Sequence, residues 1–353
     1  MAYYVDEHIK NTERIFPEQG RYGLLRYDMN ENPEGLPQWF VDEVLAEITP
    51  EYLAIYPEPD RFLQKYADYV GVPRDCVTAT NGTDQAIRYL LQTFCGQGHD
   101  VVTVAPSFEM YWVNCNILGL HHVPVPYNDD LSFSMDNLIS AIGPNTDVVV
   151  LLNPNNPVGD AFARDEVITA IEKARDNGAV VIIDEAYHYF YKNTFIDLTQ
   201  EYDNVIVTRT FSKLLSLAAC RLGVIISNPD IIHYVNNCRL TFDANALALL
   251  FGEKVLDHPE LIDELIANAD EGRAWTVDTL TARGYEVVPT EANFMLVRPK
   301  RPACEVAADL EAQGILVKAW SGGPLKDYLR ISTGSKAAME KLLTALFDVD
   351  QLN

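Results

Sequence analysis

The chain has 353 residues, of which 48% are hydrophobic and 22% are charged, and its formal net charge is −24. This is the composition of a globular protein long enough to form a large core and two lobes. The acidic residues are spread along the chain and repel nucleic acid and anionic lipid, so we expect neither as a partner.

The cysteines and the N-terminus indicate a cytoplasmic protein. No C-x-x-C pair occurs, so the sequence predicts neither a zinc nor a redox motif and favours a reducing compartment. The first residues, MAYYVDEHIK, lack the apolar core of a signal peptide, and no apolar run approaches the ~18 residues of a membrane span. The six cysteines are Cys76, Cys95, Cys115, Cys220, Cys238 and Cys304.

Seven short apolar runs alternate with helical patterns in the first two thirds of the chain. Helical segments such as DEVITAIEKARDNG, which ends at Gly178, lie between several of them. This alternation predicts an α/β fold with a mostly parallel seven-stranded sheet covered by helices. The runs are CVTAT (76–80), DVVTV (100–104), HHVPV (121–125), DVVVLL (147–152), AVVIID (179–184), NVIVT (204–208) and LGVIIS (222–227).

The pattern changes after residue 244. A long helical stretch runs to Gly284, and Pro259 divides it into two helices. Strand patterns then flank one helical pattern, which indicates a smaller α+β domain. We therefore predict an N-terminal segment (1–45) that packs on the smaller domain or at an oligomer interface, a large domain (46–244) and a small domain (245–353). The later patterns are YEVVP, NFMLVRP, the helical EVAADLEAQG, ILVKAW and YLRIS.

Polar groups follow four of the predicted strands, where ligands bind in sheets of this kind. Gly82 and Thr83 of NGTD offer N–H groups and a hydroxyl to an anion, or simply cap a helix. Asp184 of DEAY suits a cap, a metal ligand or the partner of a buried cationic nitrogen; with only His188 nearby, we do not expect a metal. Asn156 of NPNNPVG fits a turn equally well.

Lys213 lies between hydroxyl residues and an arginine. Thr210 and Ser212 precede it and Arg221 follows it. Desolvation and the arginine would both lower the pKa of the lysine, as an amine nucleophile requires, although an ordinary loop lysine remains the alternative. A phosphate site, a partner for a ring nitrogen and an amine for an aldehyde together describe pyridoxal 5'-phosphate.

An ordered set of motifs along nearly the whole chain resembles the fold-type-I pyridoxal-phosphate aminotransferases, the aspartate-aminotransferase-like class I/II enzymes, and most closely the histidinol-phosphate aminotransferase family. The N-terminal DMNENP (28–33) and YPEP (56–59) add to the resemblance. The other motifs, in chain order, are N-G-T-D, P-S-F, N-P-N-N-P-V-G, D-E-A-Y, T-F-S-K, A-A-C-R-L-G and Y-L-R-I-S-T-G.

The resemblance implies a role for each matching residue. Lys213 would form the Schiff base and transfer the proton, Asp184 would pair with the pyridine nitrogen, and Phe108 would stack on the ring. Tyr187 and Asn156 would hydrogen-bond the phenolic oxygen of the ring. The remaining cofactor contacts within the subunit would be Gly82, Thr83, Asp84, Thr210, Ser212 and Arg221.

The resemblance also implies a homodimer and a substrate site. Tyr56 would reach the cofactor phosphate of the neighbouring subunit. Arg330 would hold the substrate α-carboxylate through a two-pronged contact. Asn32 and Lys318 would also contact the substrate.

Two departures from the family pattern concern the substrate. Lys318 follows the I-L-V strand where members that act on histidinol phosphate carry an arginine. The family's Tyr-x-Pro-Gly is absent; the nearest text runs from Arg14 to Gly20 and is followed by Arg21 and Tyr22. Further aromatic side chains are candidates for the pocket wall or for the core, namely Tyr111, Trp112 and Trp320.

The function predicted is transamination between an amino acid or amino-alcohol phosphate and a 2-oxo acid such as 2-oxoglutarate. Two alternatives remain on the same scaffold: an aromatic or other amino-acid aminotransferase without a phosphate requirement, and a pyridoxal-phosphate-dependent decarboxylase. A non-catalytic binding module is disfavoured because Lys213, Asp184 and Tyr187 are all present.

Overall fold

The computed structural model describes residues 3–12, 16 and 19–351. Within these residues the strands are β1 (Leu25–Tyr27), β2 (Val77–Thr80), β3 (Asp100–Ala105), β4 (His121–Pro126), β5 (Thr146–Leu152), β6 (Val180–Asp184), β7 (Val205–Thr210), β8 (Gly223–Ile226), β9 (Glu286–Val287), β10 (Phe294–Arg298), β11 (Ile315–Ala319) and β12 (Leu329–Ser332).

The same residues form α1 (Glu7–Lys10), α2 (Gln38–Ala46), α3 (Pro50–Ala54), α4 (Asp60–Val70), α5 (Thr83–Phe94), α6 (Met110–Leu118), α7 (Met135–Ala141), α8 (Arg164–Asp176), α9 (Leu198–Glu201), α10 (Pro229–Cys238), α11 (Ala246–Asp257), α12 (Pro259–Ala282), α13 (Ala303–Ala312) and α14 (Lys336–Val349). The predicted break at Pro259 is confirmed, because only His258 separates α11 from α12.

The seven predicted strands form one sheet in the order β2-β8-β7-β6-β5-β3-β4. All neighbouring pairs are parallel except those of β8, which runs antiparallel to β2 and to β7. The prediction of a mostly parallel seven-stranded sheet is therefore confirmed.

Apolar cores cover both faces of this sheet, which explains the nearly continuous apolar runs of its central strands. Successive side chains of a strand point to opposite faces. Val149 and Val181 accordingly pack into one core cluster, while Val148 and Ile182 pack into another. In a run of Val and Ile, every side chain is apolar, so the strand can pack against the cores on both faces of the sheet.

A second sheet, in the order β1-β11-β12-β10-β9, carries the C-terminal strands. Its later strands pair antiparallel, whereas β1 joins the edge parallel to β11. The sequence analysis did not predict β1, because three residues are too few to show a period. The predicted domain boundaries stay a prediction. Leu249 and Val255 of α11, which follow the predicted boundary at residue 244, pack in the core of the larger sheet.

No helix in the described part of the chain combines the length and the apolar character needed to cross a membrane.

A buried ion pair ties β6 to β7 where both strands end. Arg209 donates from Nε and Nη2 to Oε2 of Glu185, at 2.9 and 2.7 Å, and both side chains are almost fully buried. Oε1 of Glu185 accepts a hydrogen bond from the backbone N–H of Phe195 at 2.6 Å. The two residues lie next to Asp184 and Thr210, so the pair fixes the ends of the strands that carry the candidate site.

We expect Arg209→Met to lower the free energy of unfolding by about 3–5 kcal/mol, because it leaves the Glu185 charge buried without its partner. Urea unfolding of the cofactor-free protein measures the loss. The control is Arg164→Met, which removes an exposed pair with Asp197 and should have a much smaller effect. Equal losses in the two variants would contradict the expectation.

Candidate active site

Three neighbouring parallel strands bring the predicted site together. Leu152 at the end of β5 lies in register with Asp184 at the end of β6, and Asp184 lies in register with Thr208 of β7. The segments that follow β5 and β7 carry Asn156 and Lys213. Residues distant along the chain therefore meet at one edge of the sheet, where parallel sheets bind ligands.

Lys213 has a partly buried side chain and an amine with a lowered pKa. Nζ donates a hydrogen bond to the backbone oxygen of Met29 at 2.9 Å and lies 5.9 Å from the centre of the Tyr187 ring. Burial, and after it the positive charge of Arg330, lowers the pKa of the amine to about 8. No carboxylate in the described part of the chain forms an ion pair with it. Much more of the amine is therefore neutral near physiological pH than for an exposed lysine.

Asp184 is a buried carboxylate without a cationic partner among the residues that the structure describes. Oδ2 accepts a hydrogen bond from the hydroxyl of Tyr111 at 2.9 Å, and Oδ1 accepts one from the backbone N–H of Ala186 at 3.1 Å. Burial raises the pKa of this carboxyl to about 6. A protonated ring nitrogen would supply the charge that the carboxylate lacks.

Gly82 and Arg221 form one side of an anion cradle at the N-terminus of α5. Gly82 has a φ of +76°, and a Cβ on it would lie 2.4 Å from Nη2 of Arg221, so only glycine allows this approach of the guanidinium. Arg221 also contacts Asp84 at 3.2 Å and Ser212 Oγ at 3.5 Å. Helix α5 begins at Thr83, whose free backbone N–H groups suit a phosphate.

Thr210 shapes the loop on the other side of this cradle. Its hydroxyl accepts a hydrogen bond from the backbone N–H of Ser212 at 3.1 Å. This bond holds the first turn after β7 and places Ser212 and Lys213 next to each other at the strand end.

Arg330 is a buried guanidinium, 8% exposed, without a carboxylate partner in the described residues. Nη1 donates to Oδ1 of Asn156 and Nη2 donates to the backbone oxygen of Asp28, both at 2.5 Å. Nε is buried and makes no hydrogen bond. A desolvated cation held by neutral groups attracts an anion such as a carboxylate.

Asn30 joins the N-terminal segment to Tyr187. Its Nδ2 donates to the hydroxyl of Tyr187 at 2.9 Å, and its backbone N–H donates to Oγ of Ser332 at 2.8 Å. A φ of 57° places its backbone in the left-handed region, which asparagine tolerates better than most residues. The segment that follows β1 thus contacts β12 and the turn that follows β6.

Lys318 lies directly opposite Arg330 in the antiparallel pair β11–β12, and its side chain is exposed. Residues opposite each other in such a pair point to the same face. Two positive side chains therefore stand side by side, one buried and one in solvent. Trp320 lies next to them, with its ring centre 6.0 Å from the guanidinium of Arg330.

The remaining predicted residues are partly buried or exposed. Phe108 is partly buried at the start of the turn that leads to Tyr111. Tyr56 is 72% exposed, and its ring stacks on Phe242 with centroids 4.4 Å apart. Trp112 is 39% exposed.

Asn32 does not join the group around Lys213. Its Oδ1 accepts a hydrogen bond from the backbone N–H of Glu34, and it lines a separate cavity of about 410 Å³ with Leu214 and Asn293. No hydrogen bond connects it to Arg330 or to Lys213.

The segment that replaces Tyr-x-Pro-Gly is described only in part. Arg14 and Pro17 lie outside the described residues. Arg21 pairs with Asp28 at 2.6 Å and with Glu31 at 2.9 Å, while Tyr22 is 96% exposed. The positive charge of Arg21 is therefore already balanced by two carboxylates.

Sequence reasoning missed three contacts of the site. Tyr111 was a candidate for the pocket wall or the core, yet it donates to Asp184. Asn30 was quoted within the DMNENP motif without a role of its own, yet it donates to Tyr187. Met29 contacts Lys213 through its backbone oxygen, which the identity of the side chain does not reveal. The available signal was spacing, since Tyr111 lies one helical turn after Phe108. In the described part of the chain, no cluster of three His, Cys, Asp or Glu residues could hold a metal ion.

Known proteins match this chain over most of its length. A family model described as aminotransferase class I and II matches residues 28–346. The histidinol-phosphate aminotransferase of Chlorobaculum tepidum is 32% identical over 347 residues, which are 96% of this chain and 97% of that protein.

Two solved structures share the fold. A histidinol-phosphate aminotransferase from Sinorhizobium meliloti, in complex with pyridoxal-5'-phosphate, covers 99% of this chain and 98% of its own, with a TM-score of 0.87 at 22% identity. A mutant of the Thermus thermophilus aspartate aminotransferase covers 98% and 99%, with a TM-score of 0.77 at 17% identity. The predicted fold class is therefore confirmed.

We expect Lys213 in the cofactor-free protein to react with an acylating reagent with a midpoint near pH 8, measured by quantitative mass spectrometry. Arg330→Leu should move the midpoint to higher pH, because the arginine lowers the pKa of the amine. Glu31→Gln should move it to lower pH, because the Glu31 charge raises that pKa. Shifts in the same direction would show that these two charges do not act on Lys213.

Proposed function

The chain belongs to the class I and II aminotransferases, which are pyridoxal-phosphate enzymes, and on this premise we propose that it transfers the amino group of an amino-alcohol phosphate, such as histidinol phosphate, to a 2-oxo acid such as 2-oxoglutarate. When bound, the cofactor supplies an aldehyde that joins covalently to amines and a ring that accepts electrons from the substrate Cα. The paired cations Arg330 and Lys318 carry the substrate proposal.

The buried polar groups described above fit this cofactor. Lys213 offers a partly neutral amine, and Asp184 offers an unpaired carboxylate to the ring nitrogen. The hydroxyl of Tyr187 and the amide N–H groups of Asn156, whose Oδ1 accepts from Arg330, would hold the ring oxygen. The phosphate would lie in the cradle of Gly82, Thr83, Asp84, Thr210, Ser212 and Arg221, with Phe108 against the ring.

Lys213 would also move the proton. In the proposed reaction, Nζ takes the proton from the substrate Cα once the amino donor has displaced the lysine. A pKa of about 8 suits this work, because the amine is neutral often enough to accept the proton and basic enough to hold it. The oxygen of Met29, 2.9 Å away, gives the protonated amine a hydrogen-bond acceptor.

The arrangement of Arg330 and Lys318 supports a phosphorylated donor. An amino-alcohol phosphate carries its phosphate ester where an amino acid carries the α-carboxylate. Arg330 would bind either anion, and Lys318, on the same face of β11 and β12, would add a second positive charge for the phosphate dianion. Lysine acts there as a point charge, without the fork of the arginine usual in the family. Asn32, which lines the neighbouring cavity, stays a weaker candidate for a substrate contact.

We propose further that the enzyme is a cytoplasmic homodimer. Tyr56 and Phe242 form an exposed aromatic stack, and exposed apolar side chains of Leu53, Ile55 and Leu240 lie near them in sequence, as expected for a surface covered by a second copy. All six cysteines are free, as suits a reducing compartment.

The first test of substrate class is Lys318→Gln. We expect kcat/KM for histidinol phosphate to fall about tenfold to a hundredfold, because a charge-assisted contact is lost, while the half-reaction with glutamate changes little. Lys341→Gln, an exposed lysine on α14, is the matched control.

Other outcomes separate the competing functions. Equal losses for all donors would mean that Lys318 does not read a phosphate. Efficient turnover of phenylalanine without any use of histidinol phosphate would favour an aromatic aminotransferase. Release of carbon dioxide from the amino donor would identify a decarboxylase.

Subunit mixing tests the proposed role of Tyr56. Lys213→Ala and Tyr56→Ala variants are each expected to be nearly inactive. If Tyr56 acts on the neighbouring site, half of the mixed dimers are hybrids with one intact site, and mixing should restore about a quarter of the wild-type activity. Absence of restoration, with hybrids confirmed by native mass spectrometry, would show that Tyr56 does not act across the interface.

A further inference from the structure

We propose that Tyr111 is a positioning residue that fixes the orientation and the ionised form of Asp184, so that this carboxylate can pair with the ring nitrogen of the cofactor. The inference rests on the proposed role of Asp184. It assigns a function to a buried tyrosine that would otherwise serve only as part of the core.

The geometry leaves Asp184 one defined orientation. The Tyr111 hydroxyl donates to Oδ2 at 2.9 Å, and the N–H of Ala186 donates to Oδ1 at 3.1 Å, so each oxygen is held from a different element. Tyr111 is 2% exposed and Asp184 is also 2% exposed, so water does not compete for the bond. The carboxylate keeps lone pairs for one further donor.

Helix α6 ties this bond to the predicted ring contact. The backbone N–H of Tyr111 donates to the oxygen of Phe108 at 3.3 Å, so both aromatic residues belong to one turn. Phe108 is the proposed stacking partner of the cofactor ring. One rigid turn would therefore set the face of the ring and the carboxylate at its nitrogen.

The charges around Asp184 explain why a donor is needed there. Burial and the charge of Asp84 raise the pKa of the Asp184 carboxyl, whereas the hydrogen bonds from Tyr111 and Ala186 lower it. Tyr111 gives the largest of the lowering effects. Among the described residues, Tyr187 also interacts with Asp184, whose negative charge contributes to the raised pKa of the Tyr187 phenol.

Tyr111 is suited to remain a donor at every working pH. Burial, and after it the negative charge of Asp184, raises the pKa of its phenol well above the usual value. Without the hydroxyl, Asp184 would stay protonated to higher pH. A neutral carboxyl group cannot form the charge pair that keeps a ring nitrogen protonated.

The test is Tyr111→Phe, which keeps the ring and removes the hydroxyl. In the holoenzyme we expect kcat of the glutamate half-reaction to fall about tenfold to a hundredfold with little change in KM, and the acid limb of its pH profile to move to higher pH. Substitution of Tyr111 by 3-fluorotyrosine, a stronger donor of similar shape, should move the limb to lower pH.

A measurement on the cofactor-free protein reports the protonation of Asp184 independently of the catalytic rate. Difference infrared spectra of the cofactor-free protein, assigned with Asp184→Asn, should show the Asp184 carboxyl losing its proton at higher pH in Tyr111→Phe than in the wild type. The dissociation constant for pyridoxal phosphate should increase as well. Tyr328→Phe, which removes a phenol bonded to Glu286 on the other sheet, is the matched control and should change none of these values.

The outcomes distinguish the inference from the proposal beneath it. If Asp184→Asn impairs the reaction and Tyr111→Phe moves neither the infrared midpoint nor the acid limb, Tyr111 is a core residue and the inference is overturned. If Asp184→Asn itself has no effect, the proposed role of Asp184 fails. Losses in the Tyr111→Phe, Asp184→Asn double variant no larger than in Asp184→Asn alone would show that Tyr111 acts through Asp184.

Discussion

Register between β5, β6 and β7 is the constraint on which the site depends. Parallel pairing brings the ends of these strands to one edge, so that Asn156, Asp184 and Lys213 meet although 57 positions separate the first from the last. The Glu185–Arg209 pair then locks β6 to β7 at that edge. A shift of one residue in this register would turn Asp184 to the opposite face of the sheet.

The same edge holds charges that folding alone does not compensate. Asp184 and Arg330 are buried, Lys213 is partly buried, and none of the three has an ion-pair partner among the described residues. Such groups cost stability, and the direction of their pKa changes is the one that burial of a charge produces. Binding of a cofactor with a phosphate, a basic nitrogen and an aldehyde would offset the penalty, so the fold is arranged for a ligand of that charge pattern.

Sequence patterns predicted the parts of the structure that depend on local chemistry. Apolar runs predicted all seven strands of the larger sheet, and they were clearest in the central strands, where burial on two faces favours valine and isoleucine. The polar residues at the ends of those strands predicted Asp184 and Lys213 as candidates, because ligands bind at the carboxyl ends of parallel strands. Strand β1 was missed because its three residues are too few to show a period. The Asn30 contact was missed because a hydrogen-bond partner across the fold leaves no trace in spacing, whereas the spacing of Tyr111 from Phe108 was a signal but did not identify Asp184 as its partner.

The N-terminal segment holds the site largely through its backbone. Carbonyl oxygens of Asp28 and Met29 accept hydrogen bonds from Arg330 and Lys213. Main-chain contacts of this kind survive when the side chain changes. Substitution of the side chain at position 28 or 29 can therefore change the charge near the substrate and leave the backbone hydrogen bonds to Lys213 and Arg330 in place. Backbone contacts therefore tolerate mutation of the side chains around the substrate. This gives one physical reason why a single scaffold can acquire new substrates.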